Sequence, residues 1–584
     1  MPDTAAKAWE AAEQAAGALG PEGNALATSD PVEFGRSLLM VLTRAMTRPM
    51  EVSAATWSYA MAMAQVWPAS VGRLLRWRTQ PPLPEDPKDR RFADPAWSSQ
   101  PGFFALRQAY LAVAKLGQDL LAAGSTDPTT DGKAQLAWDF LVAAMAPTNF
   151  LLTNPTALRR AAESRGQSVI AGMSSFATDL LHNGGRPRQV DTSPFELGRN
   201  LAATPGKVVF RNHLMELIQY APQTDQVHEV PLLASPPWIN KYYVMDLAPQ
   251  RSFLEWAVQH ERTVFAISYR NPDPSMRDIT LDDYLIHGPR TALDVVCDIT
   301  GASSVDIVGL CLGGAMTAMT AAYLIETGDK RLGALTLLNT LLDYANPGVL
   351  GVFTDEKTIA RLEQRMARTG VLEGAAMATT FDILRPNDLI FNYVVSNWLL
   401  GEHPPAFDIL AWNADNTRMP AAMHSFYLRS LYGKNQLAKG ELTVAGQRLL
   451  LSDIANDTYV VGAINDHIVP WESSYRATQL LGGHVRYVLS SGGHIAGIVN
   501  PPSPKSWYEA SPEYAATGQE WRATAQRHSG SWWEDWTQWA SSRAGNLVAP
   551  PSMGSELYPP LGAAPGEYVR GSALPRVDQA CSVT

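Results

Sequence analysis

The stretch Val305-Asp306-Ile307-Val308-Gly309-Leu310-Cys311-Leu312-Gly313-Gly314 places one cysteine between a β-branched run and the start of a helical segment. The pattern G-x-nucleophile-x-G at such a junction is typical of a sharp turn that lifts the central side chain above a sheet. The turn strains the backbone of the nucleophile and needs minimal flanking side chains, which Gly309 and Gly313 supply. We therefore predict that Cys311 is a covalent nucleophile. The alternative is a cysteine that is only buried in a tight turn.

The same turn predicts groups that stabilise negative charge. The helix N-terminus after Cys311 favours a thiolate, and the backbone N–H of Leu312 points towards a reacting carbonyl oxygen. A second donor is expected from the loop Pro236–Asn240, where the backbone N–H near Ile239 would complete an oxyanion hole. Alternatively, the prolines of this loop only stiffen the turn.

Two later strand ends supply a candidate acid and a candidate base. The run Tyr459–Ile464 ends just before Asp466. The run Val485–Leu489 ends shortly before His494. In folds with this type of nucleophile, the partners follow in the order nucleophile, acid, histidine. We predict that His494 takes the proton of the nucleophile and that Asp466 fixes its tautomer. His467 is a rival base, but it adjoins the acid in sequence and cannot easily receive it as well.

Short β-branched runs alternate with helical segments after about residue 206. The candidate strands are 227–234, 262–269, 305–310, 334–343, 457–464 and 484–490. This alternation predicts a parallel sheet that is covered by helices on both faces. Together with the nucleophile turn, it predicts an α/β class chain with an α/β-hydrolase fold.

The chain is expected to contain more than one domain. Apolar residues at helical spacing predict a mainly helical N-terminal domain over residues 31–200, after a disordered segment 1–30. The catalytic domain is expected over residues 201–584, with a cap insertion at about 345–440 where an aromatic-rich stretch interrupts the strands. The Pro/Gly-rich tail after about residue 550 is expected to lie extended on the surface.

Composition excludes several classes of protein. The net charge of −10 argues against a broad nucleic-acid-binding surface. None of the three cysteines lies in a CxxC pair, so neither a disulfide framework nor a zinc cluster is expected, and a reducing cytoplasm fits. Cys297 is predicted to pack within a helix, and Cys581 to have no catalytic role. No secretory signal and no apolar run of about 20 residues appears, so no transmembrane segment is expected.

These residues resemble the polyhydroxyalkanoate synthases of the single-subunit class I/II type. The segment GLCLGG at 309–314 is similar to the cysteine form of that family's lipase-like box. Further similar stretches are DRRFADPAW (89–97), PPWINKYYVMDLAPQRSF (236–253), FAISYRNPD (265–273), RPNDLIFNYVV (385–395), NDHIVPW (465–471), SGGHIAGIVNPP (491–502), GSWWEDW (530–536) and APGEYV (564–569). The resemblance covers nearly the whole chain from about residue 85.

The resemblance implies an enzyme that polymerises (R)-3-hydroxyacyl-CoA into a polyester and releases CoA. The catalytic Cys, Asp and His of the family correspond to Cys311, Asp466 and His494. No cofactor is implied, because CoA is part of the substrate and a product. The implied partners are the surface of a cytoplasmic polyester granule, phasin-type granule proteins and a second copy of the chain in a homodimer.

The size of the monomer and two other functions stay open. The terminal motifs resemble the medium-chain class, whereas His494–Gly497 and Thr340 resemble the short-chain class. Because the latter positions flank the catalytic groups, we favour 3-hydroxybutyryl-CoA and other short-chain monomers. The alternatives are an esterase or polyester depolymerase with a cysteine nucleophile, and a non-catalytic granule-associated protein.

Overall fold

A computed structural model describes residues 31–75, 77 and 79–571. Its contacts divide the chain into two units, the first formed by the residues up to Thr192 with Ala375–Phe407, the second by Ser193–Gly374 with the residues from Asp408. The expected disordered segment 1–30 and Cys581 lie outside the described residues. Among those that are described, no helix combines the length and apolar character needed to cross a bilayer.

The first unit is helical, as the apolar spacing predicts. Its N-terminal part contains the helices Pro31–Ala45, Pro49–Leu74, Ala96–Ser99, Pro101–Ala123, Pro128–Ala144, Pro155–Glu163 and Gln167–His182. Five of them begin with proline, which suits the first turn because the N–H groups there have no acceptor within the helix. The side chains of Asp127 and Asn154 accept hydrogen bonds from the first backbone N–H groups of their helices.

The middle of the expected cap insertion packs with this helical unit. It forms the helix Gly374–Leu384 and two π-helical segments, Asn387–Phe391 and Val394–Leu399. The Trp398 indole N–H donates to Asp179 at 2.9 Å, and the Trp398 ring meets Phe176 at 4.9 Å. Thus the stretch 345–440 is not one body: residues 375–407 belong to the first unit, and its two flanks belong to the second.

The second unit is built on an eleven-stranded mixed sheet. Its strands are β1 (Gly206–Arg211), β2 (Met215–Tyr220), β3 (Leu232–Ser235), β4 (Val264–Tyr269), β5 (Val305–Leu310), β6 (Leu332–Leu338), β7 (Thr458–Ala463), β8 (Val485–Ser490), β9 (Trp507–Ala510), β10 (Gln526–Ser529) and β11 (Gly562–Ala563). Their order is β10-β9-β8-β7-β6-β5-β3-β4-β2-β1-β11. The six central strands β4-β3-β5-β6-β7-β8 are parallel, and the strands at both edges are antiparallel. The α/β-hydrolase fold predicted from the sequence is confirmed.

Helices connect and cover the strands of this sheet. They are Phe253–Gln259, Leu281–Leu285, Thr291–Thr300, Leu312–Glu326, Glu356–Thr369, Asp408–Ala414, Ala421–Tyr427, Trp471–Tyr475, Ala477–Leu480, Gly518–Thr524 and Trp532–Ser541, with π-helical turns at Ile286–Arg290 and Leu428–Gly433. The helix Leu312–Glu326, which follows β5, is almost entirely buried. The apolar material of the core therefore surrounds the predicted nucleophile turn.

Several strand ends differ from the sequence prediction. The run 227–234 divides into Val227–His228 and β3, because Pro231 between them has no N–H for a strand ladder. The run 334–343 stops at Leu338, because Asn339 adopts a left-handed backbone with φ of 43°. The antiparallel strands at the sheet edges were not predicted.

The tail is more than a surface extension. Strand β11 pairs with β1, and Tyr568 and Val569 beyond it are buried. The carboxylate of Glu216 accepts hydrogen bonds from the backbone N–H groups of Glu567 and Tyr568, both at 2.9 Å. The APGEYV motif thus closes the edge of the sheet.

Candidate active site

Cys311 lies at a sharp turn between β5 and the helix Leu312–Glu326. Its backbone has φ of 55° and ψ of −116°, a strained conformation for a residue with a side chain. A Cβ atom on Gly309 would overlap the carbonyl oxygen of Gly313, and one on Gly313 would overlap the backbone of Ser235 and Pro236. Both glycines are therefore required by close backbone contacts, as the sequence pattern predicts.

The turn is fixed to the neighbouring strand. The backbone N–H of Cys311 donates to the carbonyl of Leu338 at 2.8 Å. Thr340, just beyond that strand, is buried, and a Cβ on Gly314 would overlap its side chain. Thr340 therefore packs directly beneath the first turn of the helix that carries the nucleophile.

Asp466 and His494 are in direct contact. The Nδ1 atom of His494 lies 2.7 Å from Oδ2 of Asp466. The other carboxylate oxygen of Asp466 accepts hydrogen bonds from the backbone N–H groups of Ile468 and Val469, at 2.8 and 2.9 Å. One oxygen of the Asp466 carboxylate is thus held by the loop that carries Asp466. The other oxygen fixes Nδ1 of the His494 imidazole, which leaves Nε2 for the nucleophile.

The electrostatics couple His494 to both neighbours. Burial lowers the pKa of His494, but the negative charges of Asp466 and Cys311 outweigh burial and raise this pKa well above its ordinary value. The interaction of His494 with these two neighbours therefore contributes its full stabilisation of the folded state at pH values below the pKa of an unfolded histidine, about 6.5. That stabilisation is lost as the pH rises through the higher pKa of the folded state.

The loop expected to supply the second oxyanion donor lies against the nucleophile turn. Its backbone at Ser235 and Pro236 contacts Gly313. Because Pro236 and Pro237 have no N–H, the first donors beyond Ser235 are Trp238 and Ile239. The next N–H, that of Asn240, already donates to Thr417 at 2.8 Å. Leu312 opens its helix, so its N–H has no acceptor within that helix. The assignment of Leu312 and Ile239 as oxyanion donors stays a prediction.

Sequence reading missed the residues that hold the histidine loop. The Asn339 amide donates to the backbone carbonyl of His494 at 2.5 Å. The indole N–H groups of Trp532 and Trp533 donate to the carbonyls of Gly497 and Ile498, both at 2.9 Å. The GSWWEDW motif therefore anchors the loop that carries the base. The sequence marked this motif only by its similarity to the family and did not reveal its contact with the histidine loop.

Three tyrosines near Cys311 were also missed. The ring of Tyr432 lies 4.8 Å from that of Tyr344 and 5.3 Å from that of Tyr427, measured between centroids. Burial raises the pKa of all three hydroxyls, and the charge of Cys311 adds to the rise in each case. Tyr427 and Tyr432 come from the expected cap insertion, in its part that belongs to the second unit.

The remaining sequence candidates lie elsewhere. Burial raises the pKa of the half-buried Cys297 thiol, against the opposing effect of Arg331, in keeping with a packing role. His467 follows Asp466 in the chain, but the carboxylate of Asp466 contacts His494. Within residues 31–75, 77 and 79–571, no group of three or more His, Cys, Asp or Glu side chains is arranged to hold a metal ion.

Comparison with known proteins shows the family to which the chain belongs. Residues 88–257 match the family described as the N-terminus of poly-beta-hydroxybutyrate polymerase (PhaC), and residues 235–501 match the alpha/beta hydrolase fold. A poly(3-hydroxyalkanoate) polymerase of Methylorubrum extorquens is 42% identical over 572 residues, covering 97% of this chain and 94% of that protein. The chain belongs to the poly(3-hydroxyalkanoate) polymerase family.

Other members of the polymerase family match almost as extensively. Poly(3-hydroxyalkanoate) polymerase 2 of Ectopseudomonas oleovorans is 41% identical over 539 residues, covering 92% of this chain and 95% of that protein. The poly(3-hydroxyalkanoate) polymerase subunit PhaC of Cupriavidus necator is 42% identical over 496 residues, with 83% of each chain covered. The resemblance inferred from the motifs is therefore confirmed.

A prediction concerns the base that serves Cys311. His494→Gln should slow alkylation of Cys311 by iodoacetamide about ten-fold at pH 7, because a thiol without a base is only a few per cent ionised there. The measurement is mass spectrometry of the Cys311 peptide. His467→Gln is the matched control. If alkylation of Cys311 slowed in that variant and not in His494→Gln, the base would be His467 and not His494.

Proposed function

We propose that the chain is an acyltransferase that polymerises (R)-3-hydroxyacyl groups from CoA thioesters through a covalent thioester on Cys311. One observation carries the proposal: in a chain of this family, the strained Cys311 turn is electrostatically coupled to a buried His494–Asp466 pair. A cysteine suits this chemistry, because exchange of one thioester for another changes little in energy and leaves the acyl group activated.

The first step is acylation of the enzyme. The sulfur of Cys311 attacks the thioester carbonyl of the substrate, and the backbone N–H groups of Leu312 and Ile239 stabilise the oxyanion. The new bond to Cys311 forms as the bond to the CoA sulfur breaks. The proton that His494 took from Cys311 passes to the departing CoA sulfur, so that neutral CoA thiol leaves.

The second step lengthens the chain. The 3-hydroxyl of a further 3-hydroxyacyl-CoA attacks the thioester on Cys311, and an ester bond forms as the carbon–sulfur bond breaks. His494 accepts the hydroxyl proton and returns it to the sulfur of Cys311. The imidazole has already given its proton to the departing CoA sulfur, so it is a base without its proton when the hydroxyl arrives.

The same catalytic groups also suit hydrolysis. A hydrolase of this fold would transfer the acyl group to water. A non-catalytic granule-coating protein would not transfer an acyl group at all. Serine, and not cysteine, is the commoner nucleophile of such hydrolases. A non-catalytic protein would not require the contacts that hold His494. Membership of the polymerase family favours transfer to a hydroxyl over both alternatives.

The decisive assay follows CoA release from 3-hydroxybutyryl-CoA and identifies the product as polyester or free acid. The parent chain should form polyester. Cys311→Ala should form none while its unfolding temperature stays close to that of the parent, because it removes only the thiol. Cys297→Ser, the matched control, should keep most of the activity. Free acid as the main product would favour the hydrolase, and CoA release by Cys311→Ala would exclude the proposed thioester.

An apolar partner surface is part of the proposal. The helix Pro49–Leu74 carries only Glu51 and Arg73 as charged residues, and Trp57 and Trp67 on it are 69% and 77% exposed. Exposed aromatic side chains on a helix without charge between its ends support contact with an apolar surface such as a polyester granule. Phasin-type proteins and a second copy of the chain are further proposed partners. Cosedimentation with the polyester formed in vitro tests the contact with the polymer.

Short-chain monomers are the proposed substrates. Small residues beside the catalytic groups would favour longer monomers only if they left open space. A Cβ on Gly497 would instead lie 2.6 Å from that of Ala463, and Thr340 is buried against Gly314. Because these positions are filled by neighbouring protein atoms, they offer no room for a longer tail. This supports the preference implied by the resemblance.

The size preference should be graded, because one methylene in an apolar pocket changes discrimination by about 1–3 kcal/mol. We expect kcat/KM to fall in the order 3-hydroxybutyryl-, 3-hydroxyhexanoyl- and 3-hydroxydecanoyl-CoA. The measurement is initial CoA release for each substrate under identical conditions. A preference for the ten-carbon substrate would reverse the assignment.

A further inference from the structure

The hydroxyl of Tyr344 is buried and has no hydrogen-bond partner. The residue is only 3% exposed, and within the part of the chain that the structure describes, no group lies within hydrogen-bonding distance of its oxygen. Buried hydroxyls are normally paired, because an unpaired one loses its bonds to water without replacement. An unpaired hydroxyl beside the predicted nucleophile therefore points to a hydrogen-bond partner that arrives with the substrate.

Tyr344 is held firmly in this position. Its backbone N–H donates to the side-chain oxygen of Asn435 at 2.9 Å, and the amide of Asn435 donates in turn to Asp343 at 2.7 Å. Arg476 contacts the same carboxylate at 3.2 Å. The ring packs edge to face on Tyr432. Because both backbone and ring are fixed, the hydroxyl cannot turn away to find a partner at little cost.

Tyr344 differs from the two neighbouring tyrosines in one respect. Of the three described tyrosines whose electrostatics involve Cys311, it is the one whose hydroxyl is completely buried without a hydrogen-bond partner. Burial raises the pKa of Tyr344 well above its ordinary value. The hydroxyl therefore keeps its proton and acts as a donor.

We propose that Tyr344 positions the 3-hydroxyl of the incoming 3-hydroxyacyl-CoA for attack on the Cys311 thioester. This inference rests on the proposed function. The phenolic O–H donates to the oxygen of the 3-hydroxyl, and the 3-hydroxyl donates its own hydrogen to Nε2 of His494. Tyr344 thereby selects acyl acceptors that carry an oxygen at carbon 3.

Proton balance is unaffected by Tyr344. As the ester bond forms, the hydroxyl proton passes to His494 and then to the sulfur of Cys311, and Tyr344 keeps its proton throughout. The thioester carbonyl is already assigned backbone donors. The oxygen of the substrate 3-hydroxyl is then the acceptor to which the phenol of Tyr344 can donate. Tyr344 therefore matters for elongation and not for acylation.

Tyr344→Phe separates the two steps. With enzyme in excess over 3-hydroxybutyryl-CoA, the first CoA released reports acylation, and this rate should stay within about two-fold of the parent, less than the effect of one net hydrogen bond. With substrate in excess, kcat/KM for steady-state CoA release should fall about ten-fold, the scale of one such bond. The matched control is Tyr432→Phe, which removes the hydroxyl of the ring that packs on Tyr344 and should not change the ratio of the two rates.

Thermal unfolding checks that the loss is not structural. Tyr344→Phe should leave the unfolding midpoint unchanged or raised, because it removes a buried hydroxyl that has no hydrogen-bond partner. Equal slowing of both steps in Tyr344→Phe, or an unchanged elongation rate, would overturn the inference. A parent chain that releases no CoA when enzyme is in excess would instead contradict the proposed function itself.

Discussion

The close approach of the Ser235–Pro236 backbone to Gly313 is the constraint on which the rest of the second unit depends. It leaves no space for a side chain at Gly313. The contact brings the loop after β3 against the first turn of the helix that follows Cys311. The strained turn at Cys311 therefore lies against the same loop from which the second oxyanion donor is predicted.

The candidate acid and base follow strands that lie on the other side of β5 in the sheet order. The loops after β7 and β8 carry Asp466 and His494, and two tryptophan N–H groups from the helix Trp532–Ser541 hold the carbonyls just beyond His494. That helix is anchored in turn to β6, where Trp536 donates to Thr336 at 2.9 Å. The helix Trp532–Ser541 thus holds the loop that carries His494.

Local sequence signals predicted the central strands, the nucleophile turn and the contact between Asp466 and His494, because strand order brings these loops to one edge of the sheet. The edge strands were missed since their patterns are irregular: β2 is wholly buried yet contains Glu216 and Gln219. The supports of the base were missed because the indole contacts join residues 35 positions apart, a distance that no periodicity reveals. The division of the cap insertion between two units likewise depends on tertiary packing.

The central claim is that the acyl group is carried as a thioester on Cys311. It is tested most directly by mixing the chain with less than one equivalent of 3-hydroxybutyryl-CoA, quenching in acid and locating the added mass by peptide mass spectrometry. We expect one hydroxybutyryl group on the Cys311 peptide, removed by neutral hydroxylamine. CoA release without any added mass, or an acyl group attached to another residue, would contradict it.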